Sequence, residues 1–432
     1  MKRKLIGLML VAGLTFISPL MAQSLSVESA VEQALSQSFT IKSKQLAVDS
    51  AIISQKDGVT NTFYPSLATS ATLRQSNAGV STLGSSDSVD ASVYFTTGVS
   101  ASLSLHPSMW MSLDLLKQQV ASNQISLNAA QHSLDLQVRQ LYYGIVVQNE
   151  ALKLQQTSLK RVQDTLSDME ESYQNGLVAE INLIQLQNQI ASQENAIKSS
   201  QSNIQTMKQN LNYLMGVDDL NAPLELIDAI PEIDAEALNQ FKVDDAILSS
   251  TDLESLTINE EMTDTQKKMQ KSSMTVPSIT FSASYLPLYD VTDNDWDYQY
   301  DSGAMSATVS FDLSNLLPGS TAKTKIKTLE NTQQSLDIAK QQLVQGIHLT
   351  FEKNLATAQN AIDQIALAKK SQKLAKTTLD LTEQSYENGL TSYSSYKDAQ
   401  LSLDQANLSV LQAKYTYLTA LLDLQNEVSR NE

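Results

Sequence analysis

Apolar residues return at every seventh position through two long stretches of this chain, and no proline interrupts either stretch. Ile145, Leu152, Leu159, Leu166 and Tyr173 form one row, Val162 and Met169 lie in a second seam, and Leu183, Ile190, Ile197, Ile204 and Leu211 continue the spacing beyond Gly176. Leu367, Leu374 and Leu381 climb to Gly389, and Leu401, Leu408, Tyr415 and Leu422 leave it. A heptad held this long specifies a coiled coil. The Asn-Gly in the middle of each stretch specifies a tight reversal, since glycine takes the left-handed backbone such a turn needs. Two antiparallel helical hairpins are expected, with arms of roughly sixty residues, or ~90 Å at ~1.5 Å per residue.

The hairpins are copies of each other. Thr165-Leu166-x-x-x-Glu170-x-Ser172-Tyr173-x-Asn175-Gly176-Leu177 recurs as Thr378-Leu379-x-x-x-Glu383-x-Ser385-Tyr386-x-Asn388-Gly389-Leu390, and Pro65 and Pro107 answer to Pro277 and Pro318. A tandem duplication therefore covers almost the whole chain. After Pro65, Leu67, Thr69, Ala71 and Leu73 stand at alternate positions, and Val93 to Leu105 alternates with Thr96, Gly98, Ser100, Ser102 and Ser104. The second copy offers Ile279 to Tyr285 and Met305 to Leu313. A period of two is a strand signal.

Expected segments are a secretory signal over 1–22, an N-terminal helix over 23–64, a first strand pair over 65–106 and a first helical hairpin over 107–217. An acidic linker over 218–257, a helix over 258–276, a second strand pair over 277–318 and a second hairpin with the C-terminus over 319–432 complete the chain. The signal rests on Lys2-Arg3-Lys4, an apolar run from Leu5 to Ile17 and a cut after Ala22, and is too short to span a bilayer.

Charge and side-chain chemistry exclude several functions. The formal charge is −17 and no basic cluster beyond the N-terminus would follow a phosphate backbone, so nucleic acid is not an expected partner. Cysteine is absent and only His106, His132 and His348 are present, which excludes thiolate metal sites, disulfides and cysteine nucleophiles. No catalytic triad, phosphate loop or ligand cluster emerges, so neither an enzyme nor a cofactor is expected. The acidic run Asp290, Asp293, Asp295, Asp297 and Asp301 is expected as a loop between the third and fourth strands; it lacks the glycine and closing glutamate of a calcium loop.

The strands carry Ser, Thr and Gly opposite their apolar face, as a wet lumen would. Their length suits a tilted crossing of a bilayer, with Phe63, Tyr64 and Trp110 at the helix end and Tyr285, Tyr289 and Trp296 toward the other. Four strands cannot close a barrel, so copies must share one; two would give eight strands and three would give twelve.

The duplicated plan, the Pro-led strand pairs, the start Val27-Glu28-x-Ala30-Val31-x-x-Ala34-Leu35 and the twin Tyr-x-Asn-Gly-Leu turns resemble the TolC-type outer-membrane efflux proteins. The resemblance implies a homotrimer with a twelve-stranded outer-membrane barrel in lipid and a helical tunnel through the periplasm. Such a channel is the passive exit duct of a tripartite efflux or type I secretion system, working with a periplasmic adaptor (membrane fusion protein) and an inner-membrane transporter. It implies that Tyr173, Asn175, Gly176, Leu177, Tyr386, Asn388, Gly389 and Leu390 form tips that dock the adaptor, with Asn175 and Asn388 standing where Val is common. Aligned from Gly389, the family's paired aspartates of the pore constriction fall on Ser395 and Asp398, and only Asp398 is acidic. The alternative reading is a periplasmic coiled-coil adaptor or spacer, which would carry one hairpin and no such strands.

Overall fold

The computed structural model describes residues 23–76, 92–176, 178–291 and 296–428. The chain forms two compact units, one from Met1–Ser38, Leu134–Asp234 and Ala358–Leu422, the other from Phe39–Ser133, Ala235–Thr357 and Asp423–Glu432. The proposed signal lies outside the described residues.

The second unit holds the sheet. Strands β2 (Ser66–Ser76), β3 (Ser92–Leu105), β5 (Ser278–Asp290) and β6 (Asp297–Ser310) pair antiparallel throughout in the order β2-β3-β5-β6. Register turns the alternation into two unlike faces. Leu67, Ala101, Ala283 and Met305 stand in one row, and Leu103, Phe281 and Ala307 in another. On the opposite face Ser66, Ser102, Ser282 and Ser306 share a row, with Oγ atoms 2.7 Å apart in both the Ser66–Ser102 and Ser282–Ser306 pairs. Helices flank these strands: α2 (Phe39–Phe63), the early part of α3 (Met109–Gln174), α5 (Val243–Leu248), α6 (Thr251–Thr275) and the early part of α7 (Thr321–Glu387). Lys44 donates to Ser126, Gln118 to Thr265, and Lys340 pairs with Glu260. The helices therefore follow the order α2-α3-α6-α7, matching the strands they lead into.

The first unit holds the tip-side parts of both hairpins, α3 with α4 (Glu180–Leu214) and α7 with α8 (Tyr393–Val428), and a two-stranded parallel ribbon of β1 (Gln23–Leu25) and β4 (Leu224–Leu226). Helix α1 (Val27–Gln37) begins at a capping box in which Ser26 and Ser29 bond reciprocally. Arg139 holds Glu28 through both carboxylate oxygens, at 2.8 and 2.9 Å, and Tyr142 donates to the Leu25 carbonyl.

Several expectations need correction. The helix over 23–64 is a strand and two helices, broken at Ser38, whose ψ of 135° leaves the helical region, with the Gly216 backbone close to the Gln37 carbonyl. The helix expected over 258–276 begins at Thr251, because the Ser250 hydroxyl caps it by accepting from Leu253 N–H. The return arms have 35 and 36 residues against 66 and 67 in α3 and α7, so the arms are unequal. Strand β6 starts at Asp297, well before Met305, and ends at Ser310; Leu313 sits in a 3-10 turn over Leu313–Leu316. Asp290, Asp297 and Asp301 consequently belong to paired strands, since the ladder continues through a bulge at Leu288 and Tyr289. Asp293 and Asp295 lie outside the described residues.

Candidate functional site

The two tips are built alike from the duplicated residues. Gly176 and Gly389 both adopt φ +71°, and each N–H donates to the carbonyl three residues earlier, Tyr173 at 2.8 Å and Tyr386 at 2.9 Å. At the second tip Leu390 N–H also reaches the Ser385 carbonyl, closing the helix end as a left-handed cap does. Asn388 donates its side-chain amide to the Gln384 carbonyl at 2.7 Å, so this asparagine caps its own turn. Tyr173, Asn175, Gly176, Asn388, Gly389 and Leu390 are exposed. Leu177 lies outside the described residues.

Tyr386 is the exception among the tip residues, being half-buried in an aromatic group with Tyr393 and Tyr396. Tyr386 and Tyr396 lie parallel with centroids 5.4 Å apart, and Tyr393 meets both edge-on. Tyr396 is 5 % exposed and donates to the Glu383 carboxylate at 2.9 Å. Burial pushes Tyr393 and Tyr396 up to about 12, and for Tyr396 the Glu383 bond adds to the rise. Tyr393 also packs on the apolar cluster of the first hairpin, Val162, Met169 and Leu186, and so joins the two hairpins. Sequence reasoning did not single it out; the Tyr-x-x-Tyr spacing of 393 and 396 was the available signal.

Tyr396 is buried, and this sets which residues of α8 are exposed within one copy. Ser395 and Asp398 are exposed on the face that also carries Ser402, Gln405 and Ser409, while Ala399 and Gln400 are buried behind them and Lys397 is half-buried at the flank. Asp398 is the sole charge in that polar row. Farther along, Asp404 accepts from Ser158 at 2.6 Å and lies 3.6 Å from Arg161, while Gln193 donates to Ser158, a polar tie between the hairpins. Among the described residues no group of carboxylates or histidines is placed to hold a metal ion, and no helix is long and apolar enough to cross a membrane.

The family model of the outer membrane efflux protein matches residues 30–217 and 243–427. Solved structures share the fold. VceC, an outer membrane protein of Vibrio cholerae, is 16% identical with a TM-score of 0.76, covering 94% of this chain and 96% of its own. The CmeC outer membrane channel of Campylobacter jejuni is 14% identical at TM-score 0.78, over 93% and 85%. The open-state MtrE outer membrane channel of Neisseria gonorrhoeae is 17% identical at TM-score 0.72, over 93% and 88%. Among curated proteins none matches. A match running through both copies sets aside the adaptor and spacer readings: the chain belongs to the outer membrane efflux protein family, as an outer-membrane exit duct and not an enzyme.

Proposed function

We propose that three copies of this chain close one barrel of twelve strands, four from each, and that the two tips of each copy receive a periplasmic adaptor joined to an inner-membrane pump. The observation that carries the reading is the pair of open sheet edges. In an alternating sheet of four strands β2 and β6 run antiparallel, so β6 of one copy can extend onto β2 of the next in the ladder type used inside the sheet. Unpaired edge amides in hydrocarbon cost several kcal/mol each, so a closed ring is the stable form. The matching helix order leaves α2 and α7 as edges too, and α2 carries Phe39, Leu46 and Ile53 exposed at heptad spacing.

Tip docking is supported by the exposed Asn-Gly reversal, with glycine at φ +71°, at both hairpin ends. Asp398 is proposed to line the pore mouth, because it projects from α8 while Tyr396 turns inward. Native mass measurement in mild detergent tests the assembly: a trimer is expected, and a stable monomer or dimer overturns it.

A further inference from the structure

We infer that the turn joining β6 to α7 is an anchor for anionic phospholipid of the periplasmic leaflet, gripping acyl chains with Leu313, Leu316 and Leu317 and headgroups with Lys325 and Lys327. The inference rests on the reading of the sheet as a membrane barrel. Strand β6 ends at Ser310, and the next residues expose Phe311 and three leucines, 67, 44 and 60 % accessible for Leu313, Leu316 and Leu317. This apolar surface continues the face of β6 that presents Met305 and Val309, both strongly exposed. It also stands at the sheet end where Phe63 and Trp110 pack with centroids 5.3 Å apart.

Several polar groups of the turn pair with one another, which favours a segment in contact with lipid. Asp312 accepts from the Ser314 N–H at 3.0 Å, the Ser314 hydroxyl at 2.6 Å and the Asn315 amide at 3.2 Å. Ser320 donates to the Asn315 carbonyl and Lys323 to the Leu316 carbonyl at 2.6 Å. The leucines are left as the outward chemistry. Immediately after them come three lysines, with Lys325 and Lys327 exposed, and no carboxylate occurs between Asp312 and Glu330 in a chain whose formal charge is −17. Leucines followed by lysines are what an interfacial anchor on an anionic surface requires.

The test places a single tryptophan by Leu316→Trp, with Trp110→Phe and Trp296→Phe, in the full-length assembly reconstituted with brominated phosphatidylcholine or brominated phosphatidylglycerol. Quenching by both lipids is expected, with phosphatidylglycerol acting at lower mole fraction. Adding Lys325→Gln or Lys327→Gln should each weaken that preference by about fivefold, the worth of one basic residue at an anionic surface. A second variant retaining Trp296 as its single tryptophan reports whether the barrel sits in the bilayer. If Trp296 is quenched while the residue at 316 is not, the turn is covered by a neighbouring copy and the inference is overturned. Equal quenching by the two lipids, unaltered by the lysine changes, removes the anionic preference. If Trp296 also escapes quenching, the barrel reading itself fails.

Discussion

Among the described residues four glycines, Gly176, Gly216, Gly319 and Gly389, share a left-handed backbone but differ in what surrounds them. A Cβ on Gly176 or Gly389 meets nothing within 4 Å, whereas on Gly216, at φ +70°, it would stand 2.4 Å from the Gln37 carbonyl oxygen. Alanine at either tip should therefore cost only the ~1–2 kcal/mol of a left-handed alanine, and an asparagine less. Gly216→Ala adds a backbone collision and should cost clearly more. Thermal melts followed by circular dichroism should rank Gly216→Ala well below Gly176→Ala and Gly389→Ala; equal melting would show that the Gln37 segment yields freely. The tyrosines of the second tip make a separate prediction. An unfolded tyrosine ionises at ~10, while Tyr393 and Tyr396 are held up to about 12 in the fold. The folded state thus holds protons that the unfolded state loses, and stability present below pH ~10 declines as pH rises toward ~12. Ultraviolet titration should find a late-ionising group that Tyr396→Phe reduces.

Helix α7 shows why heptad spacing alone could not say which leucines face the partner arm. Ala358, Ile365 and Leu379 are buried, with Gln372 of the same row donating to Asn407 of α8 at 2.8 Å. Leu367, Leu374 and Leu381, read from sequence as the seam, are all exposed. The rows differ by two positions, about 200° around a helix of ~3.6 residues per turn, so α7 is apolar on opposite faces. One row serves its own hairpin, and in the proposed trimer the other would meet a neighbouring copy. Leu374→Asp should leave the protomer's helical content unchanged but break the assembly in native mass measurement; an intact trimer would place that row in solvent. The strands and both Asn-Gly reversals were legible because period two and a left-handed glycine are local properties. The β1–β4 ribbon was not, because it pairs Gln23 with Leu224 through tertiary packing and spans only three residues per strand. The early start of α6 was legible in principle, as Ser250 followed by Asp252 and Glu254 is an N-terminal signature that the acidic linker masked. Near the end of α8, burial and Asp423 push Glu427 up to about 6, against the single bond from Asn354. A carboxyl raised in the fold favours folding at low pH, so protection of this helix end should fall as pH rises from ~4.5 through ~6. Hydrogen exchange should show that dependence, and Glu427→Gln should abolish it.

In the proposed trimer a cargo would meet the exposed face of α8 at the mouth where the copies converge. A face made of Ser395, Asp398, Ser402, Gln405 and Ser409 offers hydroxyls, one amide and a single charge per protomer. If that face lines the mouth, three Asp398 carboxylates sit in a narrow passage whose low-dielectric walls focus their field and favour cations. The rest of the row is neutral, so the charge preference of the mouth should depend on this one position. Lys397 is half-buried at the flank of α8 and contributes far less to the field on the axis. Asp398→Asn should accordingly lower cation selectivity and weaken block by multivalent cations in single-channel recordings, while trimer levels stay unchanged because the side chain is exposed. Lys397→Ala should alter both quantities much less. The reverse ranking, with Lys397→Ala changing selectivity and Asp398→Asn leaving it untouched, would mean that α8 turns about its axis when the copies assemble and that the ring belongs to another face.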